Sequence, residues 1–119
     1  MFVSLVASLQ TIAALLLVAF GVIALIQPAR LAQMAGLDAS STNGKAEIRI
    51  SWGGLYIGLG LGAMLIGTSE AFRLLGIAHI ALALTRAVLA TMNRDIVNRG
   101  YQISLAWEII MGVVFMLPR

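Results

Sequence analysis

A chain of 119 residues that is 61% hydrophobic and 11% charged, with a mean hydropathy of +0.98, stands well away from the roughly 45–50% apolar, 25% charged make-up of soluble domains, and reads as an integral membrane protein. Eight basic and five acidic residues leave a net charge of +3, but the basic residues flank apolar stretches, where they orient spans and meet anionic lipid; no nucleic-acid partner is expected. Having no cysteine and one histidine, the chain has no disulfide, thiolate metal site, cysteine nucleophile or histidine cluster, and no metal site is expected.

The elements follow in chain order. Leu5 to Ile26 is uncharged and long enough to span, and Pro28 closes it. No Lys or Arg occurs between Met1 and Gln10, so this first span is expected to be retained, not cleaved as a signal peptide. Pro28 to Ala35 predicts a short interfacial helix stopped by Gly36, and Asp38 to Lys45 a polar loop. The second span runs from about Ala46 to Gly67, with Glu47 in its first turn as an N-terminal carboxylate. Gly54, Gly58 and Gly62 repeat every fourth residue of it and share one face. Bare backbone on such a face favours close helix contact in lipid, within the chain or against another protein. Gly53 and Gly60, off that stripe, predict close approach on a second face.

After a tight hairpin at Gly67 to Ser69, Thr68 or Ser69 caps a third span ending near Met92, with Glu70 in its first turn. His79, Arg86 and Asn93 fall seven residues apart on a face shared with Gly76, Ala83 and Ala90. A fourth span, about Gln102 to Leu117, aligns Tyr101, Ser104, Glu108 and Gly112. The expected fold is therefore all-α: a single-domain, antiparallel, integral membrane four-helix bundle with spans near 5–27, 46–67, 70–92 and 102–117, and an interfacial helix after the first.

Arg86 and Glu108 each interrupt an otherwise apolar span. Arg86 lies six residues before Met92 and Glu108 six after Gln102, which sets both about 9 Å inside the same ends of antiparallel helices. An ionised group in the hydrocarbon needs a partner, so the two are expected to pair. Arg30, Lys45, Arg49, Arg94 and Arg99 fall on that side and Arg73 and Arg119 on the other; the positive-inside rule makes the first side cytoplasmic and both termini exterior or periplasmic. Glu47, Arg49, Trp52 and Tyr56 enter from the same side. Together with His79, Arg86 and Glu108 they form the candidate polar cluster.

Each feature has a structural and a functional reading. The Arg86–Glu108 pair either fixes helix register and depth or relays protons or holds a headgroup. Glu47 either caps its helix or belongs, with Arg49, Arg86 and Glu108, to one polar vestibule for an anionic or quinone-like headgroup. His79 is most simply a hydrogen-bonded interior residue. No phosphate loop, nucleophile elbow or paired histidines at i and i+4 occurs, so no catalytic residues are assigned.

Glu47-Ile48-Arg49, the run Trp52-Gly53-Gly54-Leu55-Tyr56-Ile57-Gly58-Leu59-Gly60, Arg86 and Glu108 together resemble the small bacterial four-helix membrane proteins grouped as domain of unknown function 4345, which are similar in general layout to DoxX-like proteins. The likeness covers nearly the whole chain, including Pro28 and Gly36; Trp52 departs from it, tyrosine being common there. The resemblance implies a multi-pass protein of the bacterial inner (plasma) membrane and carries no activity. The expected function is a non-enzymatic accessory or interaction subunit of a larger membrane assembly, with other membrane proteins or further copies of itself as partners. It needs no cofactor, and membrane lipid or quinone is the expected occupant of the polar cluster. The alternatives are a small proton or anion transporter or channel working through Arg86 and Glu108, and a carboxylate-dependent enzyme acting on a lipid.

Overall fold

The computed structural model describes all residues, Met1 to Arg119, and is all-helical. Five helices follow one another: α1 (Phe2–Ile26), α2 (Pro28–Met34), α3 (Thr42–Ile66), α4 (Ser69–Met92) and α5 (Arg99–Met116). Three of them, α1, α3 and α4, are long and apolar enough to cross a membrane. The fourth expected span, α5, is helical but is made more polar by Arg99, Gln102, Ser104 and Glu108.

The ends of the helices are set by local chemistry. Pro28 occupies the first turn of α2. Gly36, at φ +84°, lets the Leu37 N–H fold back onto the Ala32 carbonyl at 2.9 Å, the hydrogen-bonded stop that glycine permits. Ser41 Oγ accepts from the Gly44 N–H at 2.9 Å and starts α3 at Thr42, so Thr42 to Lys45 are helical and not loop, and Glu47 lies beyond the first turn. Thr68 Oγ1 accepts from the Ala71 N–H and opens α4. Asn98 Oδ1 accepts from the Tyr101 N–H at 2.8 Å, which starts α5 at Arg99, three residues ahead of Gln102. Both early starts come from a polar side chain capping free N–H groups outside the apolar run.

Helix α3 is not uniform. Arg49–Gly54 forms a π turn, and its buried residues Ile48 and Gly53 are five apart before the spacing returns to Gly60 and Ala63. The inserted residue turns the following segment by about 100° relative to a continuous α-helix. As a result Gly53 and Gly60 meet α1. A Cβ on Gly60 would fall 2.6 Å from the Ala14 carbonyl oxygen, and one on Gly21 would fall 2.7 Å from the Gly53 carbonyl oxygen.

The packing consists of two antiparallel pairs, α1 with α3 and α4 with α5, joined mainly along α1 and α5. The Cα envelope is flattened, 46 × 32 × 17 Å. The central core is Ala13, Ala14, Leu17, Ala63, Phe72, Leu75, Met111 and Phe115. A second, smaller core of Ala24, Ala32, Ala39 and Ile48 seats α2 against the start of α3. Small residues dominate the inside, while Leu15, Leu16, Ile23, Leu74, Leu84, Ile110 and Val113 point outward. This inverts the arrangement that water selects for large apolar side chains.

Candidate functional site

The faces of α4 and α5 meet as their spacing predicts. Gly76, His79 and Ala83 of α4 are buried, as are Glu108 and Gly112 of α5. The Gly76 backbone lies against Met116 and that of Gly112 against Ile80. That close approach brings the two ions together. Arg86 Nε donates to Glu108 Oε1 at 2.7 Å and Nη2 donates to Oε2 at 2.9 Å, a two-point charge-assisted contact that fixes orientation as well as distance. Glu108 is 4% exposed, and the Arg86 side chain retains 26% of its surface. The carboxylate is thus inside and the guanidinium lies at the rim.

Tyr101 completes this site. Its ring lies 4.9 Å from the Arg86 guanidinium carbon, and its hydroxyl donates to the Arg86 backbone carbonyl. The cation therefore has a carboxylate at its end and an aromatic ring on its face. Beside them runs an open groove of about 310 Å³ lined by Ala78, Ala81, Leu82, Thr85, Leu89, Arg86 and Tyr101.

The other expected site residues divide into two sets. Trp52, Tyr56 and His79 are connected through aromatic contacts. Phe20 of α1 packs on Trp52 at 5.7 Å, on Tyr56 at 5.0 Å and on Trp107 at 5.9 Å, and Tyr56 meets the His79 ring at 6.1 Å. Tyr56 also lies within the electrostatic field of both Arg86 and Glu108. Glu47 and Arg49 do not join them. Ile48 takes the inward position between them, leaving Glu47 exposed without a hydrogen bond, while Arg49 Nε donates to the Leu25 carbonyl at 3.1 Å. That carbonyl is in the last turn of α1 and has no partner within its own helix. A vestibule of four charged residues is therefore not assembled within the chain.

His79 and Gln10 form the polar part of the deep interior. His79 is 1% exposed, and its Nδ1 lies 2.7 Å from the Leu75 carbonyl. A carbonyl only accepts, so Nδ1 carries a proton, and the buried Nε2 meets no hydrogen-bond partner. Gln10 Nε2 reaches the carbonyls of Val114, Phe115 and Leu117 at 3.1–3.2 Å, satisfying the C-terminal end of α5 from α1. No group of three or more His, Asp or Glu side chains is placed to hold a metal ion.

Several of these residues were open to sequence reasoning. Tyr101 shares the Glu108 face but carries no charge to mark it. Gln10, the single amide in the first 26 residues, is a polar group in a span and should have been expected to find a partner. Phe20 offered no signal beyond its apolarity.

Gly54, Gly58 and Gly62 face outward. A Cβ at any of them meets nothing within 4 Å. The close contacts inside the chain are made by Gly21, Gly53, Gly60, Gly76 and Gly112 instead. No family model, curated protein or solved structure matches the chain.

Proposed function

We propose that this chain is a multi-pass protein of the bacterial inner membrane in which all four long helices cross as an antiparallel bundle, and that it serves as an accessory or interaction subunit of a larger membrane assembly. Both termini lie on the exterior side, with Arg30, Lys45, Arg49, Arg94 and Arg99 toward the cytoplasm. Large apolar side chains on the outside of every long helix support the insertion. The resemblance of the residues quoted above to the four-helix proteins of domain of unknown function 4345 supports this reading.

The observation that carries the subunit reading is the bare stripe on α3. Three glycines at four-residue spacing leave open backbone on the outer face, while a different set of glycines closes the chain's own interfaces. Lipid gains nothing from bare backbone, whereas another helix gains dispersion contact along it. The partner is another membrane protein or a second copy of this chain. The Arg86–Glu108 pair has a structural role in this reading, fixing the register of α4 on α5, and lipid or quinone occupies the groove beside it.

Mild-detergent purification from native membrane, with mass spectrometry of the proteins and lipids retained, tests the reading. The parent chain should retain a stoichiometric partner or self-associate. Gly58→Leu should lose that association without loss of folded protein. A parent chain that is monomeric and partner-free in native membrane overturns the subunit reading. Flux into proteoliposomes that disappears in Glu108→Gln would replace it with transport.

A further inference from the structure

The Arg86 guanidinium is only partly used. Nε and Nη2 each donate to Glu108, but Nη1 makes no hydrogen bond and is not enclosed. In a bilayer an N–H without an acceptor is penalised by several kcal/mol, so the rim of this site calls for one. Glu108 already balances the charge. A second anion would be repelled by that carboxylate at short range and in poor dielectric, whereas a neutral oxygen would accept from Nη1 without opposing charge.

The groove has matching polarity along its length. Ala78, Ala81 and Leu82 line its deep end, and Thr85, Arg86 and Tyr101, with the apolar Leu89 beyond them, the end nearer Met92. From residue 78 to residue 89 it follows α4 for about 16 Å at 1.5 Å per residue. Its volume of about 310 Å³ lies at the lower limit of ligand sites, roughly 300–1,000 Å³. Arg86 lies about 9 Å from the end of α4, and in the membrane reading its long side chain reaches from there toward the ester level of the adjoining leaflet. The small side chains of Ala78 and Ala81 leave the trough open, while Thr85 spends its hydroxyl proton on the Ala81 carbonyl at 2.8 Å. The donors free to meet a ligand at this end are therefore those of Arg86.

We propose that this groove is a binding site for one acyl chain of a membrane glycerolipid, whose neutral ester carbonyl accepts a hydrogen bond from Arg86. The assignment rests on the membrane reading above and is independent of the subunit reading. It makes the headgroup charge secondary, because the recognised atom is the ester oxygen.

Photolabelling of the full chain in phosphatidylcholine vesicles tests it. The probe is phosphatidylcholine with a diazirine at mid-chain, compared with its ether-linked analogue, which lacks the carbonyl. The ester probe should label the segment 78–89 and Tyr101. The ether probe should label it about tenfold less, since a hydrogen bond to a charged donor is worth at least that factor. Ala81→Phe should abolish the labelling, and if that variant does not fold, the ester and ether comparison on the parent chain decides. Equal labelling by the two probes, preference for phosphatidic acid bearing the same chain, or stoichiometric displacement by a short-chain quinone overturns the assignment. Alkaline extraction of native membranes separates the two failures. Release of the chain into the wash defeats the membrane reading itself, whereas retention with equal labelling defeats only the lipid site.

Discussion

The two helix pairs are closed by different physics. Between α1 and α3 the contact is one of shape: Gly21, Gly53 and Gly60 bring backbone to backbone, and the Arg49 bond to the Leu25 carbonyl lies at the exposed end. Between α4 and α5 shape and charge act together. Gly76 and Gly112 allow close approach, and Arg86 Nε and Glu108 Oε1, 2.7 Å from each other, bridge the two helices. Shape gives close packing but holds register only through many weak contacts. A two-point ion pair fixes register at a single level, and it does so by making each partner dependent on the other.

The largest test of this contrast is to remove one ion. Arg86→Leu leaves Glu108 buried and unpaired, and should lower unfolding stability in detergent by about 3–5 kcal/mol, whereas Arg86→Leu combined with Glu108→Leu should recover most of that loss. A double variant no more stable than the single one would mean that the pair is more than a mutual neutralisation. The counterpart on the other interface is Gly60→Ala. Its new methyl would lie 2.6 Å from the Ala14 carbonyl oxygen, and overpacking against backbone should destabilise by about 1–3 kcal/mol in the same unfolding assay.

Tyr101→Phe sharpens the contrast further. It keeps a ring against the guanidinium and removes the hydroxyl donor to the Arg86 carbonyl, so a loss of about 1 kcal/mol is expected. A much larger loss would show that the hydroxyl, and not the ion pair, sets the register. The smallest effect, and one of opposite sign, belongs to Gly58→Ala. Its methyl meets nothing, and thermal unfolding of the purified chain should show a gain of at most about 1 kcal/mol from helix propensity. Destabilisation there would mean that the stripe on α3 packs within the chain.

Much of the architecture was legible because apolar length, proline, glycine and capping residues act locally. The helix that ends before Pro28, the short helix stopped at Gly36 and the turn at Gly67 all follow from residues adjacent to the features they produce. Helices α3 and α5 begin ahead of their apolar runs because hydropathy marks where a span becomes apolar, whereas Ser41 and Asn98 mark where a helix begins. The meeting of Arg86 and Glu108 could be foreseen from equal depth on antiparallel neighbours. The partnership of Gln10 with the end of α5 could not be assigned, since it links residues more than a hundred positions apart.

The residues alone thus determined that α1, α3 and α4 are apolar enough to span, and that two opposite ions on α4 and α5 need one another. Both follow from transfer free energies that every residue carries with it. Tertiary structure decided which face of α3 is inward. One extra residue in the turn at Arg49–Gly54 moves Gly53 and Gly60 onto α1, leaves Gly54, Gly58 and Gly62 outside, and parts Glu47 and Arg49 from the ion pair. No local preference encodes that rotation; it is fixed by how closely two backbones can approach.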